Sequence, residues 1–140
     1  VSRRAPAFSH HSRFIPLDLM EREQCEQTLG QLGRTSHIVY AALYEQEDVI
    51  RGWRAEAQMQ TNLAMLSNAL APLCAAAPDL RQISLLQGTK AYGAHLAPPP
   101  VPAKERWRRH GHENFYWYQE DFIRRLQRDA NWTWTIMRPQ

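Results

Sequence analysis

Only two lysines, Lys90 and Lys104, stand among the 140 residues, so chemistry that needs an amine has two candidates. The other 15 basic residues of the 17 are arginine. Lys90 lies in Gln87-Gly88-Thr89-Lys90-Ala91-Tyr92-Gly93, just beyond an apolar run that reads as a buried strand. Ligands of open α/β sheets bind in the crevice past the carboxyl ends of the strands. A lysine there can hold a ribose hydroxyl and lower the pKa of a neighbouring tyrosine. An exposed loop lysine is the plainer alternative. A tyrosine placed four residues before its lysine is absent: those positions after Tyr40, Tyr44, Tyr92, Tyr116 and Tyr118 hold Tyr44, Asp48, Leu96, Glu120 and Phe122.

Three further groups of residues could carry chemistry. Ser2-Arg3-Arg4 follows what reads as the tail of a strand. Arginine at such a strand end suits the 2′-phosphate of NADP, whereas an acid would read the free hydroxyls of NAD. A solvated basic pair is the alternative. Asp18-Leu19 ends the next strand, where the carboxylate could accept from an adenine amine or open a helix. The densest cluster runs from His110 to Asp121 and contains Phe115, Tyr116, Trp117 and Tyr118. His110 and His112, two apart, would share a metal only on a strand, and no third ligand is evident. No metal is expected. Cys25 and Cys74 lack the spacing of a disulfide framework or a zinc site, and a reducing cytoplasm is the default.

The elements that must position these residues alternate. Phe14–Asp18 reads as a short strand with Pro16 at an edge or bulge. Helical spacing of Cys25, Leu29 and Leu32 gives a helix from Glu21 to Leu32, stopped by Gly33. His37–Leu43 is apolar enough for a strand covered on both faces. A helix follows over about Trp53–Ala77, with Met59, Leu63, Leu66 and Leu70 on one side and a break or bend expected at Pro72. Ile83–Leu86 is a buried strand, and 87–111 is a long loop rich in proline. A helix over Glu113–Asp129 and a strand over Trp132–Met137 complete the chain. Strands alternating with helices predict a parallel α/β sheet with right-handed crossovers.

Composition narrows the class. A hydrophobic fraction of 44% is too high for a disordered tail. No apolar run reaches the roughly 18 residues that a membrane helix needs. The formal charge is only +3, and the arginines are interleaved with acids. A nucleic-acid module using Arg106-Trp107-Arg108-Arg109-His110 and the aromatics is therefore the second reading, and no nucleic-acid partner is expected.

Taken together, Gly88-Thr89-Lys90-Ala91-Tyr92 and Asn114-Phe115-Tyr116-Trp117-Tyr118-Gln119-Glu120-Asp121 resemble a divergent branch of the extended short-chain dehydrogenases/reductases, the progesterone 5β-reductase/iridoid synthase-like enone reductases. That family takes its lysine from the loop after the fifth strand and reads roughly Thr-Gly-x-Lys-His-Tyr and Asn-Phe-Tyr-Tyr-x-x-Glu-Asp. Val1-Ser2-Arg3-Arg4 is similar to its NADP-specifying Val-Ala-Arg-Arg, Leu17-Asp18-Leu19 to its adenine-side segment, and Trp134-Thr135-Ile136-Met137-Arg138-Pro139 to its Trp-Ser-x-x-Arg-Pro strand end. The resemblance implies Tyr116 and Lys90 as the catalytic pair, with Tyr118 in reserve. It implies NADP held by Ser2, Arg3, Arg4, Asp18, Leu19, Ala41, Lys90 and Tyr116. Gln87, Ala91 and Trp117 depart from the pattern, and no tryptophan stands at the strand end after Leu43.

The implied reaction delivers hydride from NADPH to an α,β-unsaturated carbonyl, or to a ketone or aldehyde, while Tyr116 receives the charge developing on oxygen. A non-catalytic NADP-binding relative is a further alternative. The implied fold is a partial Rossmann sheet running from the tail of strand 2 through strand 6 over residues 1–140. The first βα unit is then expected to be missing, because no Gly-x-Gly-x-x-Gly occurs, and the C-terminal substrate region too, because the sequence ends on a strand with no following helix. Residues 1–140 alone are expected to be inactive. Expected partners are a small carbonyl or enone substrate, no membrane, and a homodimer as an open option.

Overall fold

The computed structural model describes residues 1–5, 7 and 12–139. Its elements are α1 (Arg22–Leu29), β1 (His37–Tyr40), α2 (Val49–Gly52), α3 (Glu56–Ala76), β2 (Gln82–Leu86), a 3₁₀ turn (Thr89–Tyr92), α4 (Phe115–Gln127) and β3 (Thr133–Met137). The three strands pair in chain order, all parallel, with Ile38 beside Ile83 and Ile83 beside Trp134. This is the expected parallel α/β sheet with helical crossovers.

The period-2 alternation of the strands sets the layers. Tyr40, Ile83 and Leu85 are buried and meet Leu66, Leu70 and Leu73 of α3 and Ile123 of α4. Leu17 and the α1 residues Cys25 and Leu29 extend the same core. Each of these fully buried aliphatic side chains contributes about 1.5–3 kcal/mol. The opposite face carries His37, Val39, Gln82, Ser84, Thr133 and Thr135, joined in part by a bond from Gln82 Nε2 to Thr135 Oγ1 of 2.9 Å. Val39 is 67% exposed there. The strands are therefore half-buried, not covered on both faces.

Several expected boundaries move, each for a local reason. Phe14–Asp18 is not a strand: it makes one isolated parallel bridge, Ser2 with Pro16. Ser2 donates to the Ile15 carbonyl and accepts from Leu17 N–H, and Pro16 between them has no N–H to extend the ladder. The first helix closes at Leu29, where Gly30 caps it, before Gly33 is reached. Strand β1 ends at Tyr40 instead of Leu43, and shortly beyond it the N–H and C=O of Tyr44 both turn to Asn62 of α3.

The helix expected from Trp53 is two helices. Arg54 and Ala55 form turn bonds to Arg51 and Gly52, so Trp53 stands between α2 and α3. Pro72 does not break α3, which continues to Ala76 with Leu70 and Leu73 buried on either side of it. In the loop, Gly93 has φ of 79° and caps the 3₁₀ turn. An added Cβ there would also press on the His110 ring at 3.0 Å, so only glycine suits the position. Asn114 opens α4 by accepting from Tyr116 N–H at 3.0 Å, which places the helix start at Phe115.

Candidate functional site

A second, smaller apolar cluster sits beside the main core: Trp53, Met59, Ala91, Phe115, Tyr116 and Trp117. It is assembled from the turn after α2, the first turn of α3, the 3₁₀ turn after β2 and the first turn of α4. Lys90 and Tyr116 both meet the Trp53 ring. Lys90 Nζ lies 3.7 Å from its centroid, and the Tyr116 ring meets it edge-on at 5.3 Å. A cation over an indole face is worth about 1–2 kcal/mol when partly desolvated. The structure thus brings together two residues 26 positions apart in the chain.

Asn114 ties the two elements to each other. Its Oδ1 caps α4 at Tyr116 N–H, and its Nδ2 donates to the Lys90 carbonyl at 3.0 Å. Gln87 adds a second tie, donating from Nε2 to the Tyr116 carbonyl at 3.2 Å and accepting from Arg138 Nε at 3.1 Å. Behind them Glu120 is nearly fully buried and bonded to Arg138 and to Arg109, the latter at 2.9 Å. Arg109 also pairs with Asp121 at 2.8 Å and holds that carboxyl below its ordinary range. The one arginine of the Arg106–His110 run with described ion pairs is thus engaged inside the fold.

Burial pushes the Tyr116 phenol up to about 12. The Gly88 backbone acts in the opposite direction, Glu45 raises the value further and Arg138 lowers it. In these surroundings the phenol is raised, not lowered. Tyr116 stays protonated and can donate a hydrogen bond. Tyr118 is also raised, by burial first and then by Glu113 and Glu56, so its hydroxyl belongs to the side facing α3. Lys104 stands exposed on the proline loop.

Sequence reasoning missed three participants. Glu45 accepts from Lys90 Nζ at 3.0 Å and from Trp53 Nε1 at 2.7 Å on one carboxylate oxygen. These bonds, Trp53 first, hold its carboxyl below the ordinary range. Trp53 itself reads as a helix residue in the sequence. His95 packs on Trp53 at 5.8 Å and on His112 at 4.6 Å, with both ring nitrogens buried and unpartnered among the described residues. His110 and His112 share a 2.7 Å contact between their Nδ1 atoms. Among the described residues, no group of three or more His, Cys, Asp or Glu is arranged to hold a metal ion. The only available signal was Asn114, a good N-cap type directly before the aromatic run.

The remaining predicted residues gather elsewhere. Ser2, Arg3, Asp18, Leu19 and Ala41 line one cavity of about 480 Å³, together with Leu17, Val39 and Leu43. Arg3 Nη1 lies 3.9 Å from Asp18 Oδ2, an exposed pair of little energetic weight. Asp18 also accepts from Met20 N–H at 3.0 Å, forming the turn ahead of α1. Arg4 stays outside the cavity lining and is exposed. Their chemistry, an apolar slot beside an exposed guanidinium, is of the kind that would fit a dinucleotide's adenosine end. The segment 41–46 runs from this cavity, through Tyr44, to Glu45 and the Lys90–Tyr116 cluster. Among the described residues, no helix is long and apolar enough to cross a membrane.

Comparisons with known proteins bear on the fold and the family. A short-chain dehydrogenase gsfE of Penicillium aethiopicum is 32% identical over 132 residues, covering 91% of this chain and 33% of the relative. A 3-oxo-Δ(4,5)-steroid 5-beta-reductase of Arabidopsis thaliana is 28% identical, covering 93% and 34%. An (S)-8-oxocitronellyl enol synthase of Camptotheca acuminata is 29% identical, covering 99% and 36%. The chain spans about a third of the length of these relatives. The crystal structure of UDP-glucose 4-epimerase from Bifidobacterium longum, in complex with NAD+ and UDP, has the same fold. It matches with a TM-score of 0.67 at 18% identity, over 89% of this chain and 36% of that one. Residues 25–140 match the PRISE-like Rossmann-fold domain, and the chain belongs to that family.

Proposed function

We propose that these residues form the cofactor-side half of an NADPH-dependent reductase acting on an α,β-unsaturated carbonyl, a ketone or an aldehyde. The observation that carries this reading is the convergence of Lys90 and Tyr116 on one tryptophan ring, beyond the strand ends of a PRISE-like Rossmann fold. The names of the similar reductases support it.

Bound NADPH would supply a hydride. Arg3 would pair with the 2′-phosphate, the apolar wall of Leu17, Leu19 and Ala41 would take the adenine, and Asp18 would accept from its amine. Lys90 has donors left after Glu45 and would hold the nicotinamide ribose. In a 1,4-reduction the new C–H bond forms at the β-carbon, the alkene π pair shifts toward the carbonyl, and charge collects on its oxygen. Tyr116 would donate a hydrogen bond to that oxygen, which is the step at which a protonated phenol lowers the barrier. Water or the phenol returns a proton to the α-carbon. In a 1,2-reduction the carbonyl carbon takes the hydride and Tyr116 protonates the oxygen.

The test uses NADPH deuterated at the transferred position, with the complete polypeptide that carries these residues and a panel of enones and ketones. Deuterium at the β-carbon of the product identifies enone reduction, and deuterium at the carbinol carbon identifies carbonyl reduction. A panel that takes up no deuterium ends the reductase reading.

A further inference from the structure

Glu45 sits in a segment, Leu43-Tyr44-Glu45-Gln46-Glu47-Asp48, whose composition suits a solvated acidic loop. Its surroundings are different. On one side Asn62 accepts from Tyr44 N–H at 2.9 Å and donates to the Tyr44 carbonyl at 2.8 Å. On the other, Gln58 accepts from Gln46 N–H at 2.8 Å. Both amides are fully buried on α3. Gly52 leaves room for Gln58, since any Cβ there would collide with its Oε1. Two buried polar side chains, each costly to desolvate, are thus spent on the backbone flanking a single glutamate.

The held carboxylate makes two bonds from one oxygen, to Trp53 Nε1 and to Lys90 Nζ. Trp53 is 2% exposed and offers its face to the same ammonium. Lys90 and Glu45 side chains keep only 27% and 33% of their exposure. A surface ion pair would leave two long side chains free to wander. Here two contacts fix one ammonium, the Glu45 oxygen and the Trp53 face, and the Trp53 Nε1 bond ties those two to each other.

We propose that Glu45 is a positioning residue: it pins Lys90 to the Trp53 face and offsets its charge, so that Tyr116 works as a neutral hydrogen-bond donor. This rests on the reductase reading for its catalytic part, while the clamp itself does not. The Tyr116 hydroxyl lies against the Gly88 backbone in the turn after β2, and the charges that act on it are Glu45 from the 41–46 segment and Arg138 after β3. Lys90 and His95 each contact the Trp53 ring that Tyr116 also meets.

The experiment compares the complete polypeptide with Glu45→Gln, which keeps an acceptor but loses the charge, and with Trp53→Phe, which keeps a ring face but loses the donor. Acetylation of Lys90 by acetic anhydride is measured by mass spectrometry against Lys104 as internal reference. In Glu45→Gln the Lys90 to Lys104 ratio rises about threefold or more, the scale of losing one partly buried ion pair. The alkaline limb of its kcat profile moves to lower pH, because the charge that opposes Tyr116 ionisation is gone. Trp53→Phe raises the labelling ratio in the same direction. Unchanged labelling in a folded Glu45→Gln overturns the clamp, and an unmoved alkaline limb overturns the role toward Tyr116. If Glu45→Gln fails to fold, unchanged labelling in Trp53→Phe overturns the clamp as well. A wild type that protects Lys90 yet consumes no NADPH removes the reductase reading and the role at Tyr116, and leaves the clamp standing.

Discussion

The two ends of the candidate site are built on opposite principles. At the Ser2–Asp18 end, Ser2, Arg3 and Asp18 line an open cavity, and the ion pair of Arg3 with Asp18 is long and exposed. At the Lys90–Tyr116 end, Trp53, Phe115 and Tyr116 are buried, and Lys90 and Glu45 are half-buried and bonded to each other. An open rim can recruit a charged ligand with little strain on the fold. A locked cluster can hold reacting groups to within tenths of an ångström, which is where rate is sensitive to position. Substitutions at the two ends should therefore fail differently: the rim in affinity, the cluster in turnover and stability.

The largest effect tests the cluster's chemistry. Lys90→Ala lowers turnover on the order of 10²-fold and raises the KM for NADPH, measured by NADPH consumption in the complete polypeptide. A change in KM alone would put Lys90 with the rim. Next in size is Glu120→Ala. It leaves Arg138 and Arg109 facing a vacated, buried position, and removing one partner of such a group costs about 3 kcal/mol. Chemical denaturation reads this, and a loss under about 0.5 kcal/mol would show that the cluster is no more tightly built than the rim.

A pH effect of intermediate size belongs to His95. Burial first, then the charges of His112, Lys90, Arg54 and His110, lower its pKa from 6.5 to about 4. The unfolded chain takes up this proton near pH 6.5 and the folded chain only near 4. Stability is therefore complete above about 6.5 and falls as pH drops toward 4, by about 2 kcal/mol after allowing for partial solvation. His95→Gln flattens that part of the stability profile, and an unflattened profile would place the acid sensitivity elsewhere. The smallest structural effect is at the rim. Arg3→Ala weakens NADPH binding about tenfold, seen by calorimetry, with unfolding shifted by less than about 0.5 kcal/mol. Equal binding of NADP and NAD by the wild type would remove Arg3 from its role.

What was legible in the sequence follows the same division. Periodicity located every strand of the sheet and the long helices, because their apolar spacing is set by the faces they bury. That Lys90 and Tyr116 could come together was suggested by likeness to a family, and Arg3 and Asp18 by their positions at expected strand ends. Glu45 was not, because an acid followed by Gln46, Glu47 and Asp48 looks like solvated loop until α3 supplies Asn62 and Gln58. Trp53 was assigned to a helix, since nothing local reveals that Gly52 and Ala55 close a turn around it. His95 is meaningful only once the loop folds back onto Trp53. The shortened β1 belongs to the same class: seven residues suit a strand, and beyond Tyr40 long-range partners on α3 claim the backbone. Local pattern predicts elements; the contacts that join distant elements decide the site.

The central claim is that Tyr116 meets the reacting oxygen, and single-turnover kinetics of Tyr116→Phe address it most directly. With the complete polypeptide saturated with NADPH and a reducible substrate, the hydride-transfer rate of the variant should fall by about 10²-fold or more while NADPH binding stays within about twofold. A variant that transfers hydride at the wild-type rate would contradict the account.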